Sequence, residues 1–144
     1  MEITLVGVSE SDKELAETLT RENMANYYAQ RGLIWQPELF LQSWPDTENY
    51  RIHWQRSLAG FVRFQAYSGI LTIRDLQLYP DFRKQGIGTQ ALDVLESMAR
   101  QRGCHLLRLS VFKENPACAL YLRRGFSPVE EENAVLRLQK IIVT

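Results

Sequence analysis

Cysteine and histidine are scarce in this chain, and neither sign of charge is in excess. The only cysteines, Cys104 and Cys118, lack the close pairing that structural zinc requires, so no metal is expected. A reducing compartment is the simple reading for them, with one disulfide as the alternative. Neither His53 nor His105 sits in a triad pattern, and both read as structural. Lys plus Arg equals Asp plus Glu at 17 each, for a net charge of +0. That balance excludes the overall basic field of a nucleic-acid or membrane-surface protein. Any anion site must therefore be local. No apolar run approaches the roughly 18 to 20 residues of a membrane span. The opening Met1-Glu2-Ile3-Thr4 also lacks the basic start and apolar stretch of a secretory leader. The expectation is one cytoplasmic domain over residues 1–144.

What is present is a regular alternation of elements. Ile3 to Val8 reads as a strand, and Ser9-Glu10-Ser11-Asp12 supplies cap residues for a helix from Asp12 to Gln30. Leu15, Leu19, Ala25 and Tyr28 suggest its buried face, and Gly32 stops it. A short helix follows from Pro37, closed by Pro45. Tyr50 to Gln55, Phe61 to Tyr67 and Ile70 to Tyr79 read as an antiparallel meander, with turns near Ser57 to Gly60 and at Ser68-Gly69. Ala91, Leu92, Leu95, Met98 and Ala99 then follow helical spacing up to Gly103. His105 to Phe112 is a strand, Asn115-Pro116 opens a last helix that Gly125 ends, and Phe126 to Val129 with Ala134 to Val143 form a hairpin. The order is β-α-α-β-β-β-α-β-α-β-β, a mixed, mostly antiparallel α/β sheet flanked by helices.

The segment Arg83-Lys84-Gln85-Gly86-Ile87-Gly88-Thr89 lies between a strand and an amphipathic helix. A helix start exposes unpaired N–H groups and a partial positive charge, which suits a phosphate. Gly86 and Gly88 let the backbone approach an anion, and Arg83 and Lys84 add charge. Gly-x-Gly is weak when taken alone. The dinucleotide fingerprint needs a third glycine and the P-loop needs Gly-Lys-Ser/Thr; both are missing.

These residues resemble the GNAT acetyltransferase superfamily. Arg83 to Gly88 matches its Arg/Gln-x-x-Gly-x-Gly/Ala signature, preceded by Leu76-Gln77-Leu78-Tyr79-Pro80. A second block, Asn115-Pro116-Ala117 with Leu120-Tyr121 and Gly125-Phe126, matches independently. The resemblance implies acetyl-CoA as acyl donor, without metal. It implies a splay between the fourth and fifth strands, with pantetheine along Leu76, Gln77 and Leu78 and the pyrophosphate on N–H groups of Arg83 to Thr89. Asn115 would reach the cofactor or cap its helix. Tyr121 would be the general acid for the departing thiolate, against the alternative of a packed core tyrosine. A backbone N–H near Leu78 would polarise the thioester carbonyl. Cys118 reads as an ordinary helical cysteine rather than an acyl carrier.

The acceptor side is less legible. Aromatic and polar residues between Asn23 and Asn49, Tyr27 and Trp35 among them, suit a small-molecule pocket or a core. Some polyamine-acetylating relatives carry a carboxylate where Arg74 falls, and this departure argues against a polyamine. Arg74, with Arg63, would bind an acceptor's carboxylate or phosphate, or else pair with Asp75 or Glu48. Glu48, Asp75 and Glu114 are the candidate bases. The expected reaction is direct attack by a primary amine of a small molecule. The alternatives are a protein or peptide acceptor, and a non-catalytic CoA-sensing module. Relatives often pair through the late strands, so a homodimer is a further expectation; no nucleic acid or membrane partner is expected.

Overall fold

The computed structural model describes residues 2–143. The chain runs β1 (Ile3–Gly7), α1 (Asp12–Gln30), α2 (Pro37–Ser43), β2 (Glu48–Trp54), β3 (Ser57–Tyr67), β4 (Ile70–Leu78), α3 (Ile87–Gln101), β5 (Leu106–Phe112), α4 (Ala117–Arg123), β6 (Ser127–Glu132) and β7 (Val135–Ile141). The strands form one seven-stranded sheet in the order β1-β2-β3-β4-β5-β7-β6. Every neighbouring pair is antiparallel except β4 and β5. No helix among the described residues is long and apolar enough to cross a membrane.

The sheet separates two apolar clusters. On one face Ile52, Val62, Phe64, Leu71, Ile73, Leu107 and Leu109 pack against Ile87, Ala91, Leu92, Leu95 and Ala99 of α3, with Tyr121 of α4. On the other face Ala16 and Leu19 of α1 meet Phe40 of α2, Trp44 and Phe61. Burying these side chains contributes roughly 1.5–3 kcal/mol each before chain entropy is subtracted.

Two expectations about elements are corrected. The β2–β3 turn falls at Gln55-Arg56, with Gln55 at φ 58°, rather than at Ser57 to Gly60. Gly60 lies inside β3 because a Cβ there would stand 2.0 Å from the Gln77 carbonyl oxygen of β4. Nor does α1 bury Leu15 or Ala25, which are exposed. Its buried positions are Asp12, Ala16, Glu17, Leu19 and Thr20. The polar ones are paired: Asp12 accepts from the Ser9 N–H at 2.8 Å, Glu17 from Trp35 Nε1 at 2.7 Å, and Thr20 donates to the Ala16 carbonyl at 2.8 Å.

One irregularity in β4 shapes the rest. Arg63 pairs with Asp75 while Phe64 pairs with Ile73, so Arg74 is an extra residue, a β-bulge. The bulge shifts the phase of β4. Leu71 and Ile73 face the α3 side before it, and Leu76 and Leu78 return to that side after it. The parallel pairing with β5 covers only Ile70–Ile73 against Leu106–Leu109. Beyond the bulge the two strands part.

Candidate active site

The gap between β4 and β5 has a hydrogen-bonding wall on its β4 side. The Tyr79 N–H donates to Ala59 of β3 at 2.9 Å, and the Gln77 carbonyl presses against Gly60. Backbone groups alternate along a strand, so the N–H and C=O of Leu76 and Leu78 point the other way, into the gap. Gln77 therefore turns its carbonyl to β3 and its buried side chain to α1, where its Oε1 accepts from Asn23 at 3.0 Å.

At the end of β4 the chain makes a tight turn over Pro80–Phe82 and enters α3 through Gly86. Lys84 at φ 60° and Gly86 at φ 80° are both left-handed. Such reversals turn successive N–H groups toward one concavity. Among the described residues, the N–H groups of residues 84–89 find no acceptor; the first helical bond is Gln90 N–H to the Gly86 carbonyl at 3.1 Å. A Cβ at Gly86 would meet nothing within 4 Å, so the glycine serves the backbone angle. A Cβ at Gly88 would stand 3.1 Å from Leu120 of α4. Gly88 thus lets the start of α3 lie against α4. Arg83 is exposed, and one arm of its guanidinium donates to Asn23 Oδ1 at 2.6 Å.

The β5 side of the gap leads into α4. Asn115 Oδ1 accepts from Ala117 N–H at 2.9 Å, which caps that helix. Tyr121 is 7% exposed and stands edge-on to Phe126, with ring centroids 5.9 Å apart. Its hydroxyl has no hydrogen-bond partner among the described residues. Burial, with smaller contributions from Cys118 and Asp75, pushes its pKa up to about 12. The phenol therefore stays protonated through the physiological range.

On the α1 side of the gap lies an aromatic wall. Tyr27 stacks on Phe112 of β5 at 5.5 Å and Tyr28 meets the same ring edge-on at 6.0 Å. Trp35 meets Tyr28 at 5.3 Å and donates from Nε1 to Glu17 at 2.7 Å. Arg31 covers Phe112 at 4.5 Å and pairs with Glu114. Burial, and after it the nearby Asp75 carboxylate, raises the pKa of Tyr28 as well. Burial also raises the pKa of Asp75, against the pull of Arg63 at 2.9 Å, Gln77 and Arg74. Burial lowers that of Arg63 in turn. Arg63 is enclosed by Ser43 at 2.8 Å and by the Phe40 ring at 4.2 Å, so it has no arm to spare for a ligand. Arg74 is exposed at the bulge and donates to Gln65 at 3.1 Å, not to Asp75. Of the three candidate bases only Asp75 borders the gap. Arg102 holds Glu48 through two bonds, one of 2.7 Å, and Arg31 holds Glu114.

Beside Phe112 opens a groove of about 620 Å³, bounded by Arg31 and Leu33 on one side and Glu130, Glu132 and Arg137 on the other. Among the described residues no group of three or more His, Cys, Asp or Glu is placed to hold a metal.

The arrangement has counterparts elsewhere. The sequence model of the acetyltransferase (GNAT) family matches residues 15–126. The chain belongs to that family. It is 40% identical over 73 residues to streptothricin acetyltransferase of Streptomyces lavendulae, covering 49% of this chain and 39% of that protein. The chain spans between about a third and two fifths of the length of the curated relatives it matches, 34% and 39%. Solved GNAT-type folds superpose over nearly the whole length. The ribosomal-protein-S18-alanine N-acetyltransferase from Escherichia coli gives a TM-score of 0.78 at 21% identity, covering 99% of this chain and 95% of that one. The PaiA N-acetyltransferase from Thermoplasma acidophilum, solved with coenzyme A, gives 0.75 at 19% identity, covering 98% and 99%. At these identities the likeness shows the fold, including the mixed sheet and flanking helices expected from the sequence.

Sequence reasoning missed Phe112, Arg31 and the structural role of Asn23. Phe112 is the last residue of an ordinary strand, and Arg31 follows the end of a helix. Asn23 sits on a helix face whose polarity hides its orientation. No local pattern marks any of the three.

Proposed function

We propose that this protein transfers an acetyl group from acetyl-CoA to a primary amine, by direct attack within a ternary complex. The observation that carries the reading is the series formed by the unpaired N–H groups of residues 84–89, the open edge of Leu76 and Leu78, and the Tyr121 hydroxyl. The loop fits a diphosphate, because α3 directs its free N–H groups and positive end at one concavity. The strand edge fits the amides of pantetheine, which would pair with it as an added strand. Acetyl-CoA, when bound, supplies the activated acyl group.

The chain's own residues supply the rest. A Leu76 or Leu78 N–H pointing into the gap hydrogen-bonds the thioester oxygen as its charge grows. The amine must attack as the free base, so its proton leaves to Asp75 or through water in contact with it. Raised basicity suits that carboxylate to the task. Once the tetrahedral centre collapses, the sulfur takes the electron pair and Tyr121 donates a hydrogen bond or its proton to it. A phenol at about 12 gives up a proton less readily than an ordinary tyrosine at about 10. Its main contribution is then the hydrogen bond, with complete transfer following as water regains the site.

For the acceptor, a small-molecule amine is the leading reading, supported by the similarity to an enzyme named for streptothricin. The open groove of about 620 Å³ beside Phe112 favours a second reading, an extended acceptor such as a peptide amino terminus. Trp44 lies buried against Arg63 and so does not close a pocket with Trp35. The test is calorimetric titration with coenzyme A, then thiol release from acetyl-CoA with small amines and short peptides. Saturable binding and release with at least one acceptor are expected. No affinity for coenzyme A would overturn the function, and binding without release from any acceptor would leave a sensing module.

A further inference from the structure

We propose that Asn23 of α1 is a positioning residue that fixes the cation of the cofactor loop against strand β4 through an oriented pair of side-chain amides. The inference rests on reading residues 84–89 as the coenzyme A site. Arg83 donates from Nη2 to Asn23 Oδ1 at 2.6 Å. Asn23 donates from Nδ2 to Gln77 Oε1 at 3.0 Å. Gln77 shares the α1 side of β4 with Asp75, which accepts from Arg63 at 2.9 Å. No member has a choice of direction. A guanidinium only donates, so Asn23 must turn its oxygen to Arg83 and its nitrogen to Gln77, which accepts through its own oxygen. The chain of bonds therefore runs one way from the cation into the sheet, and each bond polarises the next.

The two ends of the chain differ. Gln77 is buried on a paired strand, with its backbone carbonyl against Gly60. At the Arg83 end only Nη2 is engaged, on Asn23 and, at 3.4 Å, on the Leu78 carbonyl. Nε and Nη1 have no partner among the described residues, so Asn23 orients the guanidinium without consuming it. Asn23 Nδ2 also reaches the Leu78 carbonyl at 3.2 Å, on the strand edge that faces the gap. One side chain of α1 thus touches the loop's cation, the strand edge and the buried Gln77 amide. None of these lies near Asn23 in sequence. An anion that draws on Arg83 pulls on a chain whose far end is buried in the sheet.

The experiment is a double-mutant cycle on coenzyme A affinity, measured by calorimetry on folded protein with Asn23→Ala, Gln77→Met and both. Gln77 lies outside the loop and reaches Arg83 only through Asn23, so its replacement reads the chain rather than the loop itself. Asn23→Ala should weaken coenzyme A binding on the order of tenfold, the size expected for losing a hydrogen bond to a charged group. Gln77→Met should weaken it several-fold. The double variant should bind no worse than Asn23→Ala, because the second change acts on a chain already cut. The KM for acetyl-CoA should rise in step while kcat changes less, a split that general loosening of the fold would not produce. Asn23→Ser supplies the same comparison if the alanine variant does not fold. Unchanged affinity in the single variants, or strictly additive losses, would overturn the chain while leaving the acetyltransferase reading intact. A wild-type protein that ignores coenzyme A would instead overturn that reading.

Discussion

Strands β4 and β5 behave as two different structures at their two ends. At the N-terminal end, Ile70–Ile73 and Leu106–Leu109 are paired in register, and Leu71, Ile73, Leu107 and Leu109 are buried under α3. At the C-terminal end the same strands face each other across open space. There they present backbone groups, Asp75, the aromatic wall and, from α4, a buried phenol. The difference comes from one extra residue at Arg74 rather than from a change in composition. The closed end holds the sheet together so that the open end can leave the backbone groups of Leu76 and the N–H of Leu78 unspent, with only the Leu78 carbonyl taken up by Asn23 and Arg83.

That contrast can be broken at either end. Leu71→Ala at the closed end should cost about 2–5 kcal/mol of stability, the range for a large-to-small change in a core. Its coenzyme A affinity should stay within about twofold of the parent, read by denaturant unfolding alongside calorimetry. An equal loss of affinity would mean that the two ends are not separable. Tyr121→Phe at the open end should do the reverse. We expect kcat lower by about a hundredfold with coenzyme A affinity unchanged, measured by thiol release under saturating donor.

The same phenol gives a signature in alkali. Its folded pKa of about 12 lies above the ordinary value of about 10. Between those limits the unfolded chain has released a proton that the folded one retains. The stability this group contributes is complete below about pH 10 and is lost as pH rises toward 12. Unfolding measured across that window should become easier with rising pH by about one proton's slope, and Tyr121→Phe should remove that component. A variant with the parent's slope would place the phenol in water.

Gly86→Ala tests the loop by itself. A methyl group there meets no neighbour, so its stability cost is the left-handed backbone alone, about 1–2 kcal/mol. Coenzyme A affinity should fall on the order of tenfold, as N–H groups leave their concavity. The smallest effect belongs to a carboxylate outside the gap. Glu48→Gln releases an exposed pair with Arg102 worth less than about 1 kcal/mol, and kcat should hold within about twofold. A large loss of turnover would return Glu48 to the list of bases.

The glycine loop and the Asn115 to Phe126 block were legible because each is a run of adjacent residues doing one local job. The element order and the mixed sheet followed from periodicity for the same reason. The bulge was not legible, since Arg74 is extra only relative to a partner strand some ten residues away. The pairing of Asp75 with Arg63 rather than Arg74 depends on that bulge, and so was hidden with it. Gly60 read as a turn, because its true constraint is a carbonyl oxygen on the neighbouring strand. Leu15 and Ala25 misled for another reason: the face of α1 that packs on the sheet is partly polar, and an apolar count points elsewhere.

The bulge also shows what an inserted residue can do that a substitution cannot. Exchanging Arg74 for another polar residue keeps every later side chain on its own side. Removing it would join Ile73 to Asp75 opposite Phe64 and Arg63, the regular alternation of an unbulged strand, so Asp75 and Gln77 would still face α1 and Leu76 and Leu78 the oily layer beneath α3. A single deleted codon here would spare that layer and take away only the irregularity beyond which β4 and β5 part.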